Sequence, residues 1–315
     1  MITTNRALPL VLGLTLASAC FAQVKLTRET DVIKIEIGGK PFADYHYGAD
    51  VGKPFLAPVR AASGTIVTRQ FPMITGLGET TDHQHHRGLW FGYIDVNGVN
   101  FWENELSYKR PNGGKIVSKS IDDAKGGKTG TLRATSEWID PSGKTVLVEN
   151  QTMMFRGDNT LREIDVDITL TAKEKAVFGD DKDGLFGIRL ADPLMEKKPG
   201  TGTMINSAGM KTMKEVWGKQ ADWIDYSGEI KGEKVGVAIF DHSTSFRHPS
   251  RWHSRDYGLF AVNPLGSQTF DKANPKSEVV LNPGEKLHFR YLVVIHPEMS
   301  IEKLGAMYKS WAAKK

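Results

Sequence analysis

Three of the nine histidines in this 315-residue chain, His83, His85 and His86, fall within four positions, flanked by Asp82 and Arg87. Imidazole titrates near neutrality and, when neutral, is a common metal ligand. The cluster therefore points to proton transfer, metal binding or recognition of a hydroxyl-rich ligand. In an extended segment side chains alternate, which would put His83 and His85 on one face and His86 on the other. Asp82 or Glu79 would orient an imidazole by accepting its second N–H. Two imidazoles make half a metal site, so a divalent metal would need His242, His253 or Glu103 as further donors. Metal-free acid–base chemistry is the preferred reading; no cofactor is favoured, and a divalent metal stays open.

Downstream, Trp90, Phe91, Tyr93, Phe101 and Trp102 are far denser than the 9% aromatic content of the chain. Aromatic faces stack on sugar C–H surfaces, and neighbouring carboxylates and amides bind hydroxyls. Trp102 is thus a candidate substrate contact and Glu103 a candidate base. A third segment, Phe240 to Gly258, carries three more histidines and Arg247, Arg251 and Arg255 in what reads as a long loop between strands. Loops of that length in compact domains usually have a job. Arg251, His253 and Arg255 stand at alternate positions and are expected to face one cavity, and Trp252 is a further candidate substrate contact. Arg60, Arg69 and Arg87 are candidate clamps, because a guanidinium grips carboxylate or paired hydroxyls bidentately. Asp180-Asp-Lys-Asp-Gly184 lacks the closing acid of a calcium loop and reads as a solvated turn.

Short strands punctuated by Gly, Asn, Asp and Pro must position these residues. Expected strands cover Val32 to Ile37, Leu89 to Val96, Thr131 to Ile139, Val146 to Phe155 and Leu161 to Leu170. Others cover Val235 to Phe240, Tyr257 to Val262, Glu278 to Leu281 and Leu287 to Ile295. Asn97-Gly98 is the favoured pair for a type I′ hairpin turn. In the strand from Leu161, Glu163, Asp165 and Asp167 share a face expected to be solvated, opposite Ile164, Val166, Ile168 and Leu170. One helix is expected, capped by Ser300, with Leu304, Met307, Tyr308 and Trp311 at helical spacing. With no βαβ rhythm and no phosphate loop, the chain reads as all-β: one large antiparallel β-sandwich domain over residues 23–315, with a C-terminal helix.

Residues 1–22 read as a signal peptide, with Arg6, an apolar stretch from Ala7 to Ala17, and a small-residue cleavage site at Ala22. The mature chain is then expected in the periplasm or outside the cell. Cleavage there removes Cys20, the single cysteine, and with it any thiol nucleophile or Cys-ligated metal. The same cut lowers the formal charge from +4 to +3, which is too small and dispersed an excess to suggest nucleic acid. No apolar run is long enough to span a membrane.

Asp82-His-Gln-His-His-Arg-Gly88 with Trp90, then Asn97-Gly98, Phe101-Trp102 and Trp252-His-Ser-Arg-Asp-Tyr-Gly258, resembles the PmoA-like family of secreted bacterial proteins, a domain of unknown function. The chain departs from that pattern at Gln84, where proline is usual, and at Gly88, where serine is. The family's methane-oxygenase label conflicts with the lack of an apolar span and is set aside. The resemblance implies a galactose-mutarotase-like supersandwich and a carbohydrate ligand. Three readings stay open. The leading one is an exported sugar-active enzyme for epimerisation, elimination or hydrolysis, with His83, His85 or His86 opposed by Glu103 or His253. The others are a non-catalytic carbohydrate-binding envelope protein and a metal-dependent hydrolase or oxygenase.

Overall fold

Alternation writes the sandwich. In the strand Gly130–Ile139, Leu132, Ala134 and Trp138 are buried while Arg133 is exposed. The structure is a computed structural model describing residues 22–314, so all of the expected signal segment except Ala22 lies outside the described residues. Two eight-stranded sheets form, with every strand pair antiparallel. The first runs in the order Val24–Arg28, Val32–Ile37, Lys40–His46, Phe55–Val59, Leu89–Tyr93, Gly184–Arg189, Leu259–Asn263, Arg251–Ser254. The second runs Thr203–Asn206, Trp223–Ile230, Glu233–Asp241, Lys286–Pro297, Arg162–Ala172, Thr145–Gly157, Gly130–Ile139, Lys115–Lys125. Rings meet between the sheets: Phe91 lies 5.8 Å from Phe289, and Phe186 stacks on Tyr291 at 4.9 Å. The all-β antiparallel expectation holds. So does the type I′ turn, with φ of +58° at Asn97 and +77° at Gly98 and Val96 and Val99 exchanging both backbone bonds at 3.0 Å.

The C-terminal helix spans Ile301–Ala312, and Ser300 caps it by accepting the Lys303 N–H at 3.3 Å. Leu304 and Trp311 pack on the outer face of the second sheet against Trp223, Phe240, Leu292 and Val294. That docking corrects one expectation. Asp165, on the face read as solvated, is 1% exposed. It accepts Trp311 Nε1–H at 3.0 Å and two Arg290 N–H groups at 3.2 and 3.1 Å. A second correction concerns the long loop, which contains the edge strand Arg251–Ser254. Trp252 in that strand points into the core and donates to the Ala221 carbonyl at 2.9 Å, so its ring is closed to substrate. Among the described residues, no helix is long and apolar enough to cross a membrane.

Candidate active site

Phe55, Trp90, Gly187, Ala261 and His253 are directly paired across five strands of the first sheet. Directly paired residues share a face, and this face is turned away from the second sheet. Gly187 has no side chain there, and an added Cβ would meet the Trp102 ring at 2.8 Å. Trp102 therefore lies over the glycine, its ring 5.0 Å from that of Trp90. The two indoles form a floor.

The histidine segment that crosses this floor is a turn, not the extended run that alternation required. His83 has φ of +43° and Gly88 of +57°, and the His86 N–H returns to the His83 carbonyl at 2.9 Å. All three imidazoles consequently meet on one patch. His83 and His86 stack at 4.8 Å, His85 meets His86 at 4.3 Å, and His86 stacks on Trp90 at 5.1 Å. Gly88 is required at the end of the turn, because a Cβ there would lie 2.1 Å from the Leu56 carbonyl oxygen.

Asp82 organises the patch. Its Oδ1 accepts Arg69 Nη1–H at 2.6 Å and Arg189 Nη2–H at 2.7 Å, while Oδ2 lies 3.2 Å from His83 Nδ1. Burial works to raise the Asp82 pKa, but the His83 hydrogen bond and the two guanidiniums outweigh it and hold the group well below the usual carboxylate range. Arg69 also donates to the His83 carbonyl at 2.9 Å, and Arg189 Nη1 to His86 Nδ1 at 3.3 Å. A guanidinium only donates, so His86 Nδ1 is the acceptor and its proton sits on Nε2. Tyr257 stacks on His83 at 5.1 Å, with the Arg189 and Arg255 guanidiniums 4.7 and 5.6 Å from its ring.

His83 is exposed while His85 and His86 are buried. Burial first, then the Lys53 ammonium, depresses the His85 pKa far below the ordinary imidazole value, and burial with His85 does the same to His86. Both are neutral. His85 Nδ1 lies 3.2 Å from the Tyr108 hydroxyl. Lys53, 1% exposed, donates to the Trp102 carbonyl and Asn104 Oδ1, both at 2.7 Å. Burial lowers its pKa to about 7.

The other candidates are placed as follows. The clamps Arg69 and Arg87 already grip protein carboxylates, Arg87 holding Glu105 at 2.7 and 2.6 Å. Trp102 is fully buried beneath the histidines. Glu103 pairs with Arg110 at 2.6 Å and touches no histidine. His253 Nδ1 lies 3.0 Å from the Lys182 carbonyl and 3.2 Å from Asp183 Oδ1, anchoring the segment from Asp180 to Gly184. That segment is a half-buried polar knot, since Asp180 also accepts three backbone N–H groups, so the solvated-turn expectation fails. Arg255 joins the patch through Tyr257, whereas Arg251 donates to the Gly218 carbonyl at 2.7 Å and Arg60 lies beside Asp44. The single cavity expected for Arg251, His253 and Arg255 is not formed. Among the described residues, no three His, Cys, Asp or Glu side chains are placed to hold one metal ion. Sequence reasoning missed Lys53, Glu105, Tyr108, Arg189 and Tyr257. Arg189 carries a signal, as a charge ending the apolar run Leu185-Phe-Gly-Ile188, and Tyr257 lies within the motif Trp252 to Gly258.

Three solved structures with a similar chain course carry sugar-related names. An α-galactosidase from Geobacillus stearothermophilus matches at 12% identity and TM-score 0.42, covering 88% of this chain but 41% of its own. A galactose mutarotase related enzyme from Lactobacillus acidophilus matches at 9% identity and TM-score 0.37, covering 88% and 97%. A galactose mutarotase-like protein from Clostridium acetobutylicum matches at 9% and 0.40, covering 88% and 99%. The chain thus spans less than half of the galactosidase. No curated protein matches the sequence. Residues 32–309, most of the chain and all of the patch, match one sequence family, and the protein belongs to it: the family of unknown function DUF6807.

Proposed function

We propose that this protein is an exported carbohydrate-active enzyme in which His83, oriented by Asp82, moves a proton on a sugar. One observation carries the reading: Asp82 is fixed by two buried guanidiniums through one oxygen and faces exposed His83 Nδ1 through the other. A carboxylate at Nδ1 holds the proton there, leaving the Nε2 lone pair free as a general base, and stabilises the imidazolium that forms. Tyr257 and the imidazole faces offer flat surfaces for a sugar ring, and neutral His86 offers Nε2–H as a donor. Such a base serves epimerisation, elimination or hydrolysis alike. The PmoA-like label adds no chemistry to this reading, and neither a metal nor nucleic acid enters it.

The test is a panel of reducing sugars and glycosides followed by NMR for isomer exchange and bond cleavage. His83→Ala is expected to lower kcat by about 10²-fold or more, with KM changed less than about tenfold. A wild type that binds a sugar and turns over none would make the patch a binding site. Full turnover in His83→Ala would remove His83 from the chemistry.

A further inference from the structure

The face that carries the histidine patch continues to the edge strand Arg251–Ser254, three inter-strand steps or about 14 Å from Trp90. There a cavity of about 270 Å³ opens between that strand, the Gln220 turn and the short helix Ser267–Phe270. Arg247, Arg251, Ser250, Gln220, Ser267 and Ser277 line it. Neither guanidinium has a carboxylate partner among the described residues. Arg247 donates to the Ser277 hydroxyl, and Arg251 to the Gly218 carbonyl. With five N–H donors each, both retain donors to spare. Ser250 is 1% exposed, and its hydroxyl has no hydrogen-bond partner. A buried hydroxyl beside two unneutralised guanidiniums is a set of donors lacking an acceptor.

The nearby acids do not cancel this charge. Asp241, behind Ser250, accepts the Ser250 N–H at 3.0 Å and lies 3.1 Å from His248 Nδ1, whose Nε2 is 3.3 Å from Asp222. Burial opposes charge on His248, but Asp241 and Asp222 outweigh it and raise its pKa. Asp180, on the helix side, is occupied by the N–H groups of Gln268, Thr269 and Ser277. The charged side chains lining the cavity are those of Arg247 and Arg251.

We propose that this cavity is an oxyanion-binding site, taking a carboxylate or sulfate group through Arg247, Arg251 and Ser250. Such a group comes from one of two sources, an acidic sugar or a free inorganic anion. Paired guanidiniums read planar or tetrahedral oxyanions by charge-assisted hydrogen bonds, and Ser250 adds a donor that is unused in the empty fold. The site shares no residue with the Asp82–His83 pair, so the two readings stand or fall separately.

Calorimetric titration of the protein with sodium sulfate, D-glucuronate and D-glucose tests it. Sulfate and glucuronate are expected to bind at least tenfold more tightly than glucose, and less tightly as sodium chloride rises. Arg247→Ala, at an exposed position, should weaken both anions at least tenfold, and His83→Ala should leave them unchanged. Ser250→Ala removes a hydroxyl that bonds nothing, so it should weaken binding severalfold with Tm unmoved. Tighter binding of glucuronate assigns the site to acidic sugars, and tighter binding of sulfate to an inorganic ion; either supports it. Absence of anion binding in a folded wild type, or binding that survives both Arg247→Ala and Ser250→Ala, would overturn it.

Discussion

At the residue scale the site turns on Asp82, which does two jobs with two oxygens. Asp82→Asn keeps the shape but removes the charge that matches buried Arg69 and Arg189. Breaking a buried pair by deleting one partner typically costs about 3–5 kcal/mol; because Asp82 is itself partly exposed, a loss of about 2 kcal/mol is expected in urea unfolding. The same change lets His83 take the wrong tautomer, so the rate should fall about 10²-fold or more even where the variant is folded. A rate that tracks only the folded fraction would show Asp82 to be structural. Lys53→Met is a second case. It strands the Trp102 carbonyl and Asn104 Oδ1, costing about 1–3 kcal/mol. It also removes a positive charge that depresses His85, so the His85 imidazole should titrate at higher pH in NMR. The histidines and Arg87 were legible because they share one short motif. Lys53, Glu105 and Arg189 were not, because each reaches the patch through tertiary pairing; Asp82 and Arg189 are 107 positions apart. A lone lysine between glycine and proline looks like surface until the fold buries it.

At the scale of elements, period decides what a sequence reveals. The Ser300 cap and the 3.6-residue spacing of Leu304, Met307 and Trp311 mark the helix, and period-two alternation marks the long strands. Alternation cannot show which polar face another element will cover. Asp165 looked solvated because its neighbours alternate, yet the helix lays Trp311 over it and the paired strand brings Arg290 against it. Strand Arg251–Ser254 was hidden by its charged and imidazole side chains, which read as loop, and turn 82–88 by a polar run that carries no period. The docking is testable. Trp311→Ala removes a buried indole and the Nε1–H that Asp165 accepts, with an expected loss of about 3–5 kcal/mol. Ser300→Ala should cost about 1 kcal/mol. Because the helix lies on the second sheet and the patch on the first, both variants should leave the KM for any substrate unchanged while folded. A KM shift in either would reveal coupling through the sandwich.

For the whole molecule, the space between the sheets holds a carboxyl group that the fold neutralises. Glu149 is 5% exposed and accepts Trp138 Nε1–H at 2.8 Å, beside a gap of about 20 Å³ lined also by Tyr45 and Gln151. Burial pushes its pKa up to about 7 from 4.5, against the Trp138 hydrogen bond that favours the anion. Between those values the folded state holds a proton that the unfolded state has released, so stability falls as pH rises from 4.5 to 7 and is flat for this group beyond. At 1.36 kcal/mol per unit the loss is about 3 kcal/mol. His248 and His296, whose pKa values are raised against burial by Asp241 and Asp225, lose their contributions only as pH climbs past the ordinary imidazole range. Asp82 acts at the acid end. Neutral His85 and His86 act in the opposite sense, adding stability as pH rises to the ordinary imidazole range, and Lys53 does so above about 7, so the Glu149 effect is read as a difference between two proteins. In Glu149→Gln, where an amide oxygen still accepts from Trp138 and no charge can form, urea unfolding followed by tryptophan fluorescence should show stability rising relative to wild type between pH 5 and 7. Above pH 7 the two profiles should run parallel, because the other groups are untouched. Parallel profiles for the two proteins below pH 7 would mean that Glu149 titrates as an ordinary carboxylate and that water, not apolar packing, surrounds it between the sheets.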